Sequence, residues 1–306
     1  MRLKALYILI IGLIFSTSCK KDFEEINQNP NAITDELIDP EYLFPKAVIA
    51  PFTQYNVGVN TELWALMTWT QMVASKNAVS LDEEFIYGGS DVNLVWETLY
   101  AQSLINTQQV IDLTNNNPKA VNINAIGRIW KVYVFHLITD LWGDVPYFDA
   151  LKGNLEDKIL YPKYDSQKDI YEDLLKELEQ ATNQFDASEK SINADIIYNG
   201  DITLWKKFAN TLRLRLALRI YEANTTLAST HIQNVLNDNN LISSTSEAAV
   251  FEYAYGDNFR SPIAEGFRQS QVSELPSRLF VTKMLNDNDP RISFMINETK
   301  EYQVVG

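Results

Sequence analysis

The stretch that most strongly indicates the fold reads INAIGRIWKVYVFHLITDLWGDVPY, over residues 123–147. Its larger apolar side chains return every three or four positions, which predicts an amphipathic helix over residues 123–142. One face of this helix is formed by Ile126, Ile129, Tyr133, His136, Leu137 and Leu141. Gly143 stands where the helix should end, since glycine accepts a left-handed cap, and Pro146 prevents continuation. We therefore predict a long helix that ends in a fixed structural turn.

The same helical spacing recurs at residues 61–76, 92–113, 166–186, 201–222 and 226–238. Residues 166–186 open with Ser166-Gln167-Lys168-Asp169, a start that is similar to a capping box. Because short turns separate neighbouring helices, we expect 92–113 to pack antiparallel on 123–142. For the same reason 166–186 should pack on 201–222. The pattern predicts a mainly α fold built from tetratricopeptide-like helix pairs, without a recognisable sequence repeat.

Other segments do not have this spacing and are predicted to be irregular, namely residues 77–91, 144–165 and 243–275. The last of these segments is long for a structureless loop, so we expect it to be functional or to carry short strands. Nearer the C-terminus, a short helix over 277–286 and a turn over 286–290 precede two strand-like runs, Ile292–Ile296 and Tyr302–Val305. Because no closing element follows the second run, we expect the sequence to be truncated at its C-terminus.

Composition and charge exclude several classes of function. The 306 residues include 26 Lys and Arg against 40 Asp and Glu, which gives a net charge of −14. Such acidity argues against a nucleic-acid binder, which needs a basic face. A single cysteine excludes internal disulfides and cysteine-rich metal sites, and no cofactor is expected. The aromatic content (6 Trp, 15 Tyr and 14 Phe) suits neutral sugars, whose apolar faces stack on rings.

The N-terminus has the pattern of a lipoprotein signal. Arg2 and Lys4 precede an apolar run, small residues follow, and the only cysteine, Cys19, stands directly after them. We predict a signal peptide over 1–18, lipidation of Cys19, a tether over 19–35 and one helical domain over 36–306. The alternative is a general secretory signal in which the cysteine is incidental. A lipidated cysteine would attach the protein to a membrane through its acyl chains alone.

His136 and Asp140 lie four positions apart, so they share one helix face and are close enough to interact. An enzyme could use such a pair for acid–base chemistry. We interpret it as a structural pair near the helix end, where a positive His also suits the helix dipole. Gly143, Asp144 and Pro146 are likewise interpreted as a structural turn, and no catalytic residue is predicted.

Candidate ligand contacts are aromatic and polar residues outside the packed helix faces. Trp64 and Trp69 are five positions apart and cannot face the same way on one helix, so one could project into a cleft. Rings in irregular segments often bind ligands, and polar side chains beside them can bond sugar hydroxyls. The predicted ligand-binding set is Trp64, Trp69, Asn77, Phe85, Tyr87, Tyr255, Asn258, Phe259 and Arg260.

Asp287 and Asp289 form the single candidate for a cation site. Calcium prefers such oxygen ligands, but the segment does not have the spacing and the bidentate Glu of a calcium loop. We therefore interpret residues 286–290 as a plain turn and predict no metal.

The segment Leu137-Ile138-Thr139-Asp140-Leu141-Trp142-Gly143-Asp144-Val145-Pro146-Tyr147 resembles the helix-ending signature of SusD/RagB-family outer-membrane lipoproteins. Four further features resemble that family in the same order along the chain. These are Asp22-Phe23 after the anchor, the pair Trp96 and Tyr100, the run Tyr161-Pro162-Lys163-Tyr164-Asp165, and the run from Asn286 to Arg291. The resemblance covers essentially the whole chain, is closest to the second SusD-like group, and supports truncation because such proteins are usually longer.

This resemblance implies a helical scaffold that binds nutrients, usually glycans, at the outer surface of a Bacteroidetes-like outer membrane. It also implies a partner, a TonB-dependent transporter of the SusC type, and it implies binding without catalysis. Ligand identity does not follow, because ligand residues differ among family members. Two alternatives stay open: a surface enzyme that acts on polysaccharides, and a helical adaptor that binds no small ligand.

Overall fold

The structure is a computed structural model that describes residues 38–53, 66–75, 89–153, 158–253, 260–268 and 274–296. The chain divides into two compact units, Met1–Asp39 and Pro40–Gly306, and the helices and strands given below belong to the second. Among the residues that the structure describes, none of the helices has both the length and the apolar character required to cross a bilayer.

The described part is mainly α-helical, as predicted. In chain order its helices are α1 Pro40–Thr53, α2 Gly89–Glu97, α3 Ile105–Thr114, α4 Val121–Trp142, α5 Gln167–Gln184, α6 Ile202–Arg219, α7 Thr225–Asp238, α8 Pro262–Arg268, α9 Arg278–Asn286 and α10 Ile292–Met295. A π-helical segment, Thr98–Leu104, joins α2 to α3, and short 3-10 helices occupy Pro118–Ala120 and Thr245–Glu247. Strands β1 Val73–Ser75 and β2 Glu274–Pro276 pair antiparallel.

Helix α4 is the centre of the packing. It contacts α3 on one side and α5 on the other, and α5 in turn contacts α6, which contacts α7. The pairs are antiparallel: Asn124, near the start of α4, bonds both the Ile111 carbonyl at the end of α3 and Gln184 at the end of α5. Gly127 permits this closeness, because a Cβ there would lie 3.1 Å from Ile111 Cγ1. The predicted helix pairs are therefore confirmed.

Aromatic rings fill the space where α1 meets α4 and α6. Phe44 is fully buried, with its ring 6.5 Å from that of Trp130 and 6.0 Å from that of Trp205. Both contacts are edge-to-face, the arrangement that the charge distribution of aromatic rings favours. These contacts fix α1 against α4 and α6.

Predicted and observed elements differ in places where longer-range contacts overcome the local pattern. The helix predicted over 61–76 is wrong at its end, because residues 73–75 pair with 274–276 as a strand. The strand-like run Ile292–Ile296 forms α10 instead. Within 243–275, predicted to be irregular, α8 forms over Pro262–Arg268. The patterns do not predict α1, which contains two prolines.

Candidate functional site

The turn after α4 is built from the predicted signature. Gly143 has φ 75°, a conformation that L side chains rarely adopt, and its N–H bonds the Thr139 carbonyl at 2.8 Å. The Thr139 hydroxyl donates to the Gly143 carbonyl at 2.6 Å, and Asp144 accepts the Gln167 N–H at 2.9 Å. Pro146 is buried. The turn therefore connects the end of α4 to the start of α5.

Asp165 holds the segment that follows this turn. Its backbone pairs with Val145 in an isolated antiparallel bridge. Its carboxylate is buried and accepts the N–H groups of Tyr147, at 3.1 Å, and Phe148, at 2.9 Å. Lys163 lies 3.4 Å from the other carboxylate oxygen. The runs 143–148 and 161–165, which are distant along the chain, are thus joined.

His136 and Asp140 have separate structural partners. Asp140 accepts a hydrogen bond from the Tyr171 hydroxyl and forms an ion pair with Arg219 at 3.1 Å. His136 Nδ1 lies 2.6 Å from the Tyr133 carbonyl, so it carries a proton and donates it. Burial lowers the pKa of His136, which keeps the ring neutral at pH 7 and removes the positive charge expected near the helix end.

An aromatic cluster lies beneath the turn. The ring of Trp96 is 4.6 Å from that of Tyr100 and 5.2 Å from that of Trp142. Tyr100 also contacts Phe135 at 5.9 Å, and its hydroxyl donates to the Pro146 carbonyl at 2.7 Å. Trp96 and Trp142 remain half-buried. The cluster gives the turn a rigid aromatic base.

Exposed apolar side chains lie at residues 160–164, directly before Asp165, whose backbone bridge to Val145 joins this run to the turn. Tyr161 is 94% exposed, Tyr164 is 66% exposed and Leu160 is 67% exposed. Rings kept in water on a held loop can stack on the apolar faces of sugars. The predicted ligand set omitted both tyrosines. Their position around Pro162 in an irregular segment was the signal that could have identified them.

The predicted ligand-binding residues fall mostly outside the described residues. This applies to Trp64, Asn77, Phe85, Tyr87, Tyr255, Asn258 and Phe259, and also to the predicted lipidation site, Cys19. Two members are described. Trp69 is half-buried in the short helical turn before β1, and Arg260 lies 3.9 Å from Glu265.

Asp287 and Asp289 each face a basic side chain. Lys283 lies 2.6 Å from Asp287, and Arg291 lies 2.5 Å from Asp289 and holds the pKa of that carboxyl at about 2. A calcium ion would have to displace these cations. Within the described ranges, no group of three or more His, Cys, Asp or Glu side chains is arranged to hold a metal.

The assembly of the signature, the Trp96–Tyr100 pair and the 161–165 run in one place agrees with the family comparison. Residues 31–306 match a SusD-like family described as starch-binding and associating with the outer membrane. The chain belongs to this SusD-like family. No curated protein sequence matches it.

Solved structures give the same fold. A chitin-binding protein is 30% identical with a TM-score of 0.75, covering 83% of this chain and 54% of that one. A Bacteroidetes SusD-like protein is 26% identical with a TM-score of 0.73, covering 84% and 50%. A chitin-binding SusD homologue from Flavobacterium johnsoniae, at 24% identity and TM-score 0.68, covers 87% and 56%. This SusD-like chain therefore spans about half the length of such relatives.

Proposed function

We propose that this SusD-like chain is a cell-surface lipoprotein that binds an oligosaccharide without altering it. Cys19 would carry the lipid, and the bound sugar would pass to a TonB-dependent transporter of the SusC type in the outer membrane. Family membership supports this proposal, because the family is described as starch-binding and as associating with the outer membrane. The chitin-binding relative at 30% identity adds support for a glycan ligand.

The observation that carries the proposal within this molecule is the pair of exposed tyrosines in the run directly before Asp165. Tyr161 and Tyr164 are 94% and 66% exposed. Keeping such rings in water loses the free energy of burial, so a stacking ligand is a physical reason for their exposure. The predicted contacts in other segments, from Trp64 and Trp69 to Phe259 and Arg260, are proposed as further ligand contacts.

The candidate acid–base pair that an enzyme would need is engaged in structural contacts, which favours binding over catalysis. His136 and Asp140, the one acid–base pair that the sequence suggested, each have structural partners. The adaptor alternative predicts that no glycan binds, even where the transporter co-purifies.

Calorimetric titration of the purified chain with chitohexaose and with maltohexaose tests the proposal. We expect one of these sugars to bind and no new reducing ends to form. Each stacked ring contributes about 1 kcal/mol beyond burial, so the double variant Tyr161→Ala/Tyr164→Ala should bind about 30-fold more weakly. Tyr42→Ala is the matched control, because Tyr42 is 79% exposed but lies on α1. Unchanged affinity in the double variant would remove the role of the tyrosines, and absence of binding to both sugars would refute the function.

A further inference from the structure

A polar groove crosses α3, α4 and α5, at a place that the ligand residues above do not include. It consists of two adjoining cavities of about 550 and 370 Å³. Both volumes lie within the range of about 300–1,000 Å³ that is typical of ligand pockets. Five side chains line both cavities, namely Gln108, Asp112, Arg128, Lys131 and Glu177. We call this feature the interhelical groove.

The central wall of the interhelical groove is fixed before any ligand arrives. The Arg128 guanidinium bonds both carboxylate oxygens of Glu177, at 2.9 and 3.0 Å. It also bonds Gln184 at 2.8 Å and Gln180 at 2.9 Å. Arg128 is therefore held by side chains of α5, and its charge is already neutralised. Such pre-organisation lowers the entropic cost of binding a ligand.

Charges in the interhelical groove are balanced. The basic side chains that line it are Arg128, Lys131 and Lys152, and the acidic ones are Asp112, Asp173 and Glu177. A positively or negatively charged ligand would therefore be attracted by some of these side chains and repelled by others. The ligand charge and the groove charges would also have to lose their hydration, which costs free energy. An uncharged ligand with many hydroxyl groups avoids this cost.

Hydrogen-bonding capacity remains unused along the groove. The Lys131 ammonium bonds Gln108 at 2.8 Å, and within the described part of the chain no carboxylate lies within 4.0 Å of it. Asp112 accepts from Gln108 through one oxygen, and Asp173 accepts from Tyr147 through one oxygen. Each carboxylate thus keeps a second oxygen for a ligand. A sugar hydroxyl both donates and accepts, so it can use such alternating groups.

One end of the interhelical groove has an aromatic ring. Phe148 lines the smaller cavity and is 42% exposed, beside the buried ring of Tyr147, whose centroid lies 4.9 Å away. The Phe148 backbone is held by Asp165. A ring at one end and polar groups along the walls match the apolar face and the hydroxyl edge of a sugar.

We propose that the interhelical groove is a binding site for a neutral oligosaccharide, using residues other than the exposed tyrosines. This inference rests on the proposed glycan-binding function. Lys131 donates to sugar hydroxyls, Asp112 and Asp173 accept from them, and Phe148 stacks on a ring. The site discriminates against sugars that carry carboxylate groups.

The test compares variants of the full chain in calorimetric titrations with chitohexaose and maltohexaose. Asp112→Ala removes an exposed acceptor from the groove, and Lys131→Met removes the donor while keeping its apolar stem. Glu172→Ala is the control, since Glu172 lies on α5 and pairs with Lys168 but does not line the groove. Titration of the unmodified chain should show two binding events, one for each site. We expect each groove variant to weaken one of these events at least tenfold and the control to bind like the unmodified chain. Circular dichroism establishes that each variant is folded.

The possible results separate this site from the general function. Groove variants that bind as well as the Glu172→Ala control would overturn the groove site and leave the proposed function standing. No binding of either sugar to the unmodified chain would overturn both proposals. A hexamer of galacturonic acid that binds as tightly as the neutral sugar would overturn the neutral specificity, whereas weaker binding of that hexamer supports it.

Discussion

Single buried polar side chains hold this molecule at defined points, and Asp165 is one of them. Its carboxylate accepts the backbone N–H groups of Tyr147 and Phe148. Asp165→Ala would leave the buried Tyr147 N–H and the partly buried Phe148 N–H without this acceptor. A buried unpaired donor costs about 1–3 kcal/mol and a partly buried one costs less, so we expect a loss of about 2–4 kcal/mol in the free energy of unfolding. Urea denaturation measures this loss. Asp149→Ala, which removes a half-exposed ion pair with Lys152, should cost less than about 1 kcal/mol, and an equal cost would contradict the role of Asp165.

His231 makes the stability of the fold depend on pH. Its Nδ1 accepts from Arg213 Nε at 2.7 Å, and Arg213 also pairs with Glu179 at 2.5 Å. Burial, and then the Arg213 charge, lower the pKa of His231 below its unfolded value, and burial lowers the pKa of His136 too. The unfolded chain therefore binds more protons as pH falls below about 6.5, and the folded state loses stability.

We expect the contribution of the histidines to the free energy of unfolding to be constant above pH 7.5 and to fall between about pH 6.5 and 5.5, by at most 1.4 kcal/mol per pH unit for each histidine. Urea denaturation at three pH values measures this slope. His231→Gln keeps an acceptor for Arg213 and should retain only the part of the slope due to His136. A slope that is unchanged in this variant would show that His231 does not titrate as its surroundings indicate.

At the scale of whole elements, the ends of helices determine where the chain turns. Two glycines with positive φ, one at a helix end and one at a helix start, allow the cost of adding a side chain to be compared. Gly143 ends α4 with φ 75°, and a Cβ there would meet nothing within 4 Å. Gly200 precedes α6 with φ 76°, but a Cβ there would lie 2.6 Å from the Ile192 carbonyl oxygen. Gly143→Ala should cost only the backbone strain, about 1–3 kcal/mol because its ψ of −117° lies outside the left-handed helical region, whereas Gly200→Ala adds a steric clash and should cost more. Thermal unfolding compares them, and a similar cost for both would contradict this reasoning.

Helices α4 to α7 could be predicted to within a few residues because their end signals are local. Ser166 and Asp201 each accept backbone N–H groups in the first turn of α5 and α6, as side chains at these positions do in general. Periodic apolar residues between these ends complete the signal. The family could also be predicted from a local signal, because the signature over residues 137–147 is one continuous stretch of sequence.

The elements that sequence patterns missed depend on distant partners. Val73 becomes part of a strand because Pro276 lies opposite it, far along the chain. Helix α1 forms despite Pro45 and Pro51, and Phe44 within it packs between Trp130 and Trp205. At the candidate site, the turn residues Gly143, Asp144 and Pro146 could be predicted from the sequence. It could not indicate that Asp165 joins them, or that Tyr161 stays in water.

For the whole molecule, the net charge of −14 determines which ligands approach easily. A neutral sugar feels almost none of this field, so its dissociation constant should change less than about twofold between 50 and 500 mM salt. An acidic sugar should bind more weakly at low salt, where repulsion is less screened. Titrations at both salt concentrations measure this. A strong salt dependence for the neutral sugar would indicate that ion pairs, not stacking and hydrogen bonds, hold the ligand.

Attachment to the membrane is the last property of the whole chain, and under the proposed function it depends on Cys19. Each methylene group of an acyl chain buried in a bilayer contributes about 0.8 kcal/mol, and stable attachment needs more than one chain. Cys19→Ala would remove the acceptor thiol, so we expect loss of palmitate labelling and release of the protein from the membrane fraction. The conservative variant Cys19→Ser should behave in the same way, because acylation through a thioether requires sulfur. Persistent labelling of either variant would show that the lipid is attached elsewhere, and membrane retention without label would point to an attachment through other contacts.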